Sequence, residues 1–316
     1  MQPSAANLSL AHKPVLFQET LTALSPRKGG KYIDATLGAG GHAEGILEAS
    51  SPDGSLLGMD VDPQALKIAS NRLSKFGDRV RIVHRSYINL QDEVLASGMD
   101  GVDGVLLDLG VSSMQLDTPL RGFSFKTEAP LDMRFDPENP VSADTLVNSL
   151  PETELADILW RYGEERESRR IARAICASRP IQTTQELASV IRKAVKKSSG
   201  KIDPATRSFQ AIRIAVNSEL QSIDQVLPQA LQVLKPGGRL AVISFHSLED
   251  RLVKQFIRRE SRDCICPPEQ PVCTCGHKAG LKEITHRPVT AGSAEIQENP
   301  RSRSAHLRAA EKVALA

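Results

Sequence analysis

The strongest constraint on this chain is a stretch from Lys31 to Leu109 in which short apolar runs alternate with amphipathic ones. KYIDATL, SLLGMDV, RVRIVHR and VDGVLLDLG read as strands, and HAEGILEAS, PQALKIASNRL and INLQDEVLAS between them keep helical spacing. A strand followed by a helix and another strand forces a crossover, so the alternation implies a parallel sheet covered by helices. The pattern returns late in the chain. IDQVLPQALQVLKPGG reads as a helix stopped by Pro236-Gly237-Gly238, followed by the strand RLAVISF and the helix LEDRLVKQFIRRE. A last antiparallel strand is expected around His306 to Ala309.

Between the two stretches the character changes. A polar loop from Asp117 to Pro140 holds RGFSF and PLDMR, and a loop that long inside a compact enzyme points to function. Helices follow. Thr183 with Glu186 forms a capping box ahead of Leu187, Val190, Ile191, Ala194 and Val195, and Asp203-Pro204 opens ATRSFQAIRIAVNSEL. The expected organisation is α/β, with residues 1–115 and 218–316 forming one discontinuous domain and 116–217 an inserted, mostly helical domain.

The 316 residues carry 40 Lys and Arg against 38 Asp and Glu, so any nucleic-acid footprint must be local. No run approaches 18 uninterrupted apolar residues and the first residues lack a charged segment followed by an apolar one, so no membrane is expected as a partner and the cytoplasm is the expected compartment. Four of the five cysteines crowd between Cys264 and Cys275, unlike the spread of a secreted disulfide framework.

Asp34-Ala-Thr-Leu-Gly38-Ala-Gly40-Gly41-His42 stands where the first strand turns into the first helix, and glycines there let backbone approach a ligand. Gly38 to Ala43 also fits the dinucleotide fingerprint, and Asp60 lies near the offset of a ribose-binding acid. The loop alone therefore leaves NAD and S-adenosyl-L-methionine both open. Asp34 tips the balance, because a carboxylate is ill placed beside a pyrophosphate and well placed beside a sulfonium and an ammonium group. Asp60, ending the second strand, suits both ribose hydroxyls; Asp62 reads as the cap of the helix at Pro63. Tyr87 is open between a cover for adenine and a core aromatic, and His42 reads as a lining residue.

Asp108 closes the fourth strand in LDLGVSS, and ligands of open α/β sheets bind beyond the carboxyl ends of the strands. An exocyclic amine is a weak nucleophile, so a carboxylate that holds its N–H and offsets developing positive charge suits that position, with a plain capping role as the alternative. His246, after the fifth strand in SFHSLEDR, is open between a proton shuttle or nucleotide contact and a cap for the helix near Leu248.

HKPVL, DATLGAGGH, LLDLGVSSMQLD, RGFSF, PLDMR, YGEER with RIARAI, PATRSFQAIRIAVNSEL, GGRLAVISFHSLEDR and NPRSRSAHLR together resemble the signature set of the MraW methyltransferase family, in order across nearly the whole chain. The resemblance implies a class I, Rossmann-like methyltransferase sheet and methylation of the N4 amine of a decoding-centre, P-site cytidine in 16S ribosomal RNA, within the small ribosomal subunit. By resemblance Gly40, Gly41, His42, Asp60, Tyr87, Asp108 and Gln115 match the positions that bind S-adenosyl-L-methionine; Tyr87 stands where the family often has phenylalanine. A DNA amino-methyltransferase would carry [DNS]PP[YFW] at the fourth strand, and this chain has DLGVSS. An NAD-dependent oxidoreductase and a non-catalytic RNA-binding protein remain as rivals for binding and activity assays to separate. A homodimer is left open.

From Trp160 to Arg213 there are thirteen Lys or Arg against five Asp or Glu, the expected place for phosphate. Arg166, Arg169, Arg170 and Arg173 are expected to form one helical stripe, continued by the basic run holding Lys196 and Lys197; a solvated face paired with Glu164, Glu165 and Glu167 is the plainer reading. Phe123 and Phe125 are open between stacking on an exposed base and plugging a domain junction, and Arg301, Arg303 and Arg308 add charge near the C-terminus. Cys264, Cys266, Cys273 and Cys275, followed by His277, offer enough thiolates for a structural zinc, against the alternative of reduced, unligated thiols. Cys176 reads as core.

Overall fold

Six strands running in one direction and one reversed strand form a single sheet in the order β3-β2-β1-β4-β5-β7-β6, in a computed structural model that describes residues 14–195, 203–270 and 272–314. The strands are β1 (Lys31–Asp34), β2 (Ser55–Asp60), β3 (Val80–His84), β4 (Val102–Asp108), β5 (Leu234–Ser244), β6 (Leu281–Glu283) and β7 (His306–Lys312). β1 to β5 run parallel, and β7 returns antiparallel between β5 and β6. That is the class I methyltransferase sheet. By its contacts the chain divides into two units, Met1–Gly110 with Leu220–Ala316, and Val111–Glu219; the breaks fall a few residues from the expected boundaries and put Gln115 in the second unit.

In the first unit, alternate residues of each strand face opposite sides. Along β4, Val105 and Leu107 pack with Ile33, Met59, Val226 and Val253, whereas Leu106 packs with Tyr32, Ile46 and Ala69. Both faces are thus dry, which is why the strands read as near-continuous apolar runs. α1 (Phe17–Leu24), α2 (Gly41–Ala49) and α3 (Pro63–Leu73) cover one face; α4 (Leu90–Ala96), α11 (Glu219–Val233) and α12 (Ser247–Glu260) cover the other.

The helix before β5 stops at Val233, ahead of the expected Pro236-Gly237-Gly238. Those residues instead sit in an irregular start of β5, where pairing jumps from Val102 with Leu234 to Gly104 with Arg239. Gly237, at φ 79, turns the extra residues out of the ladder. β7 is the expected last strand, longer by three residues, Ala310 to Lys312.

The second unit holds α5 (Ser113–Asp117), α6 (Ala143–Ser149), α7 (Glu152–Gly163), α8 (Ser168–Ala177), α9 (Thr184–Ala194) and α10 (Ala205–Asn217) around its own core of Leu155, Leu159, Ile171, Ile175, Leu187, Ile191 and Ile212. The capping box ahead of α9 is present, with Glu186 N–H on Thr183 Oγ1 at 3.2 Å and Thr183 N–H on Glu186 Oε2 at 3.1 Å. Asp203 caps α10 through the Ala205 N–H at 2.9 Å. The expected helix through Leu220 breaks at Ser218, whose φ of 48 ends α10 before α11 begins.

The polar loop is knotted rather than loose. Arg121 donates to the carbonyls of Arg134 and Phe135, Arg134 forks onto Asp132, and Asn217 bonds both Phe135 N–H and Met133 O. RGFSF and PLDMR are the two sides of this clasp, and a Cβ on Gly122 would strike the Pro130 carbonyl. No helix of the described residues is long and apolar enough to cross a membrane.

Candidate active site

The carboxyl ends of β1, β2, β4 and β5 bring Asp34, Asp60, Asp108 and Glu249 to one edge of the sheet in the first unit. β1 lies between β2 and β4, so its end is the point where the chain's winding direction reverses and open α/β sheets hold their ligands.

After Asp34 the chain turns tightly into α2. Leu37 N–H bonds Met59 O at 2.8 Å and Gly40 N–H bonds Leu37 O at 2.8 Å. Gly40 sits at φ 78 and its added Cβ would lie 3.3 Å from Ala69 Cβ; a Cβ on Gly41 would come to 2.5 Å from Pro14 Cγ. Only glycine fits here, for backbone conformation at the first position and close packing at the second.

Asp60 receives Gly38 N–H on Oδ2 at 2.7 Å and Asp62 N–H on Oδ1 at 2.9 Å, with the Val61 N–H also directed at the carboxylate, which fixes its orientation. Asp62 caps α3 through Gln64 N–H at 2.9 Å, as expected. Asp34 is buried and takes one backbone N–H, from Thr36 at 3.3 Å. Burial, with Asp60 nearby, lifts its carboxyl to about 7. Burial also raises Asp60, against the pull of the N–H groups on it. Asp108 is raised well above the carboxylate range by burial, then by the like charges of Asp34 and Glu249. Its Oδ1 is buried without a hydrogen-bond partner. No Lys or Arg side chain pairs with Asp34, Asp60 or Asp108 among the described residues.

His42, in the first turn of α2, is buried, packs near-parallel to Phe17 at 6.0 Å, and has Nε2 3.8 Å from Asp108 Oδ2. Burial pushes its ring down to about 4, so the ring is neutral at pH 7 and the contact is not an ion pair. Tyr87 follows β3 in a short 3-10 turn and is half-buried against the sheet's core.

His246 takes the capping position. Its Nδ1 accepts Glu249 N–H at 3.3 Å, and Glu249 Oε2 accepts Phe245 N–H at 2.7 Å and His246 N–H at 3.2 Å. The other ring nitrogen, Nε2, lies 3.2 Å from Glu249 Oε1. The ring thus caps α12 through Nδ1, while Nε2 is buried without a hydrogen-bond partner among the described residues.

Two residues of this edge went unmarked in the sequence. Thr36 accepts the Asp108 N–H on its hydroxyl at 2.6 Å. Glu249 is wholly buried. The spacing His246-x-x-Glu249 is a capping-box spacing and was the available signal for the second.

Gln115, in the second unit, is buried and closes a capping box at α5, its Oε1 on Ser112 N–H at 3.0 Å. Arg166, Arg169, Arg170 and Arg173 are exposed, but α8 begins at Ser168, so Arg166 lies in the preceding turn and the expected four-residue stripe is three. Arg170 meets Glu167 at 3.1 Å and Arg173 meets Glu152 at 3.5 Å, while Arg166 and Arg169 have no ion pair among the described residues. Lys196 and Lys197 lie outside the described residues. Phe123 stacks on Phe135 and Phe125 meets Phe209 edge-on, so both pack within the second unit. Arg308 is buried and forks onto Asp250 at 2.7 and 3.0 Å, which removes it as a surface charge. Cys264, Cys266, Cys273 and Cys275 converge in the loop between α12 and β6; Cys176 packs partly buried on the second core.

The description of the MraW methylase family matches residues 9–313. Proteins called ribosomal RNA small subunit methyltransferase H are similar to the chain. That of Geobacter sulfurreducens is 53% identical, covering 97% of this chain and 100% of its own. That of Dehalococcoides mccartyi strain BAV1 is 52% identical, over 96% and 86%. That of Carboxydothermus hydrogenoformans is 52% identical, over 98% and 100%.

Proposed function

The chain belongs to the MraW methylase family, and from that premise we propose that it transfers a methyl group from S-adenosyl-L-methionine to small-subunit ribosomal RNA, at the N4 amine of a P-site cytidine in 16S RNA. The observation that carries the reading is the set of acids at this edge, Asp34 buried and Asp60 and Asp108 partly exposed, without a Lys or Arg partner among the described residues. Such acids favour a ligand that brings its own positive charge and a diol, and disfavour a pyrophosphate.

When bound, S-adenosyl-L-methionine supplies a methyl group already activated on a sulfonium. The protein's part is to bind, orient and take charge. Gly40 and Gly41 let the backbone approach closely, and Asp60 offers its carboxylate to ribose hydroxyls. Asp34 and Asp108 supply negative potential for the cationic centres, with His42 and Tyr87 as lining. The partly exposed Asp108 carboxylate, which no internal cation neutralises among the described residues, is the group that holds an N–H of the cytosine amine, and its raised pKa suits it to take the proton that the methylated amine gives up. His246 acts by capping α12 and so keeping Glu249 in place.

The second unit is the proposed RNA-recognition part, with Arg166 and Arg169 as phosphate contacts because neither is spent on an internal ion pair among the described residues. Arg170 and Arg173 add to the same exposed surface. Work on ribosomal RNA within the small subunit sets the cytoplasm as its place of action.

The test is transfer of labelled methyl to purified small subunits and to naked 16S RNA, followed by mass spectrometry of nucleosides. Label on N4-methylcytidine is expected, with subunits the better substrate. Label on another base would overturn the target, and tight NAD binding with no response to S-adenosylhomocysteine would overturn the cofactor.

A further inference from the structure

The loop between Glu260 and Leu281 has no core of its own. None of its described residues is buried, and Ile265 and Val272 are exposed. Its base is fastened: Gly280 N–H bonds Glu260 O at 2.9 Å, His277 Nε2 lies 3.2 Å from Arg259 O, and Ala279 N–H bonds Asp263 Oδ1 at 3.2 Å. A loop without apolar burial needs another constraint to hold its tip in one conformation.

At that tip the four sulfurs of Cys264, Cys266, Cys273 and Cys275 all lie within 4.8 Å of one another. Cys273 and Cys275 sulfurs are 3.6 Å apart and those of Cys275 and Cys264 4.0 Å. Four thiolates about 2.3 Å from a tetrahedral metal stand about 3.8 Å from each other, whereas a disulfide closes to about 2.05 Å. The observed spacings suit the first. Backbone N–H groups also turn toward the sulfurs: Ile265 N–H on Cys275 at 3.5 Å, His277 N–H on the same sulfur, and Thr274 N–H on Cys266. Gly276, at φ 62, makes the turn that brings His277 N–H round. His277 points its ring at Arg259 O and Glu260, so it is not a fifth candidate.

We propose that Cys264, Cys266, Cys273 and Cys275 hold one zinc ion, a closed four-thiolate site that fixes this loop between α12 and β6. With no open coordination position the ion is structural and takes no part in methyl transfer.

The full chain, purified under reductant without chelator, is expected to carry one zinc per chain by elemental analysis. Replacement by Co²⁺ is expected to give the intense visible bands and the sulfur-to-metal charge transfer of a tetrahedral tetrathiolate site. Cys273→Ser and Cys264→Ser each lose the stoichiometric zinc, and Cys176→Ser keeps it. Protease cleavage within 261–280 is expected to appear on chelation. A chain that binds no stoichiometric zinc when reconstituted under reductant overturns the proposal. So does a chain whose mass shows pairs of hydrogens lost to disulfides and no metal, and so does zinc that survives both cysteine substitutions.

Discussion

The backbone N–H of Asp108 donates to the hydroxyl of Thr36 at 2.6 Å, tying the end of β4 to the turn that follows β1. The bond aims Asp108 from a position beside Asp34, the acid that raises it after burial itself. Thr36→Val keeps the shape and removes the acceptor. It is expected to cost about 1 kcal/mol of stability and to lower kcat by about 10- to 100-fold with little change in KM, read from urea unfolding and single-turnover methyl transfer.

Asp108→Asn keeps the volume and removes both the charge and the proton acceptor. Methyl transfer is expected to fall by at least about 100-fold, while calorimetry shows S-adenosylhomocysteine still binding. Activity within a few-fold of the parent would dismiss Asp108 as the group that holds the amine.

Asp34 gives a pH signature. Its folded pKa of about 7 lies above the unfolded value, so its contribution to stability is full below about pH 4 and is lost as pH rises toward 7 and beyond. The ligand-free chain is therefore expected to lose stability over that window, by a ceiling of about 4 kcal/mol, and Asp34→Asn is expected to remove the loss. A ligand bearing an ammonium group favours ionised Asp34, so S-adenosylhomocysteine should bind more tightly at pH 8 than at pH 6, with proton uptake by buffer. Thermal melts and calorimetry in two buffers check both signs.

His246→Asn preserves an N-cap acceptor and is expected to leave stability and kcat within a few-fold of the parent, whereas His246→Ala should cost about 1 kcal/mol. An activity loss common to both, with the fold intact, would restore the ring to the chemistry.

For the RNA side, Arg166→Ala with Arg169→Ala is expected to weaken binding to small subunits and to flatten the log–log salt dependence by about one to two. Arg170→Ala with Arg173→Ala should do less, because Glu167 and Glu152 already meet those side chains. Filter binding across a salt series separates the pairs.

The sheet was legible because its central strands are buried on both faces and its turns carry glycine, proline and capping residues, all local signals. The irregular start of β5 was not, since Pro236-Gly237-Gly238 reads as a helix stop and only pairing with Val102 and Gly104 shows the extra residues. Arg166 was misplaced because Glu165 turns inward and takes Glu167 N–H at 3.0 Å, which delays the helix start to Ser168. Glu249 was invisible as part of the acid cluster because its neighbour Asp108 is remote in sequence, and only the pairing of β4 with β5 brings them together.

That pairing also sets a timetable for synthesis. β4 finds β1 as soon as it emerges, but its other edge waits for β5, more than a hundred residues later. At typical elongation rates the wait is on the order of ten seconds. Throughout it, the half-built sheet presents Val105, Leu106 and Leu107 on an open edge to whatever lies near the ribosome exit. Slowing translation across the insertion should lengthen this vulnerable interval and increase the nascent chain's dependence on holding chaperones.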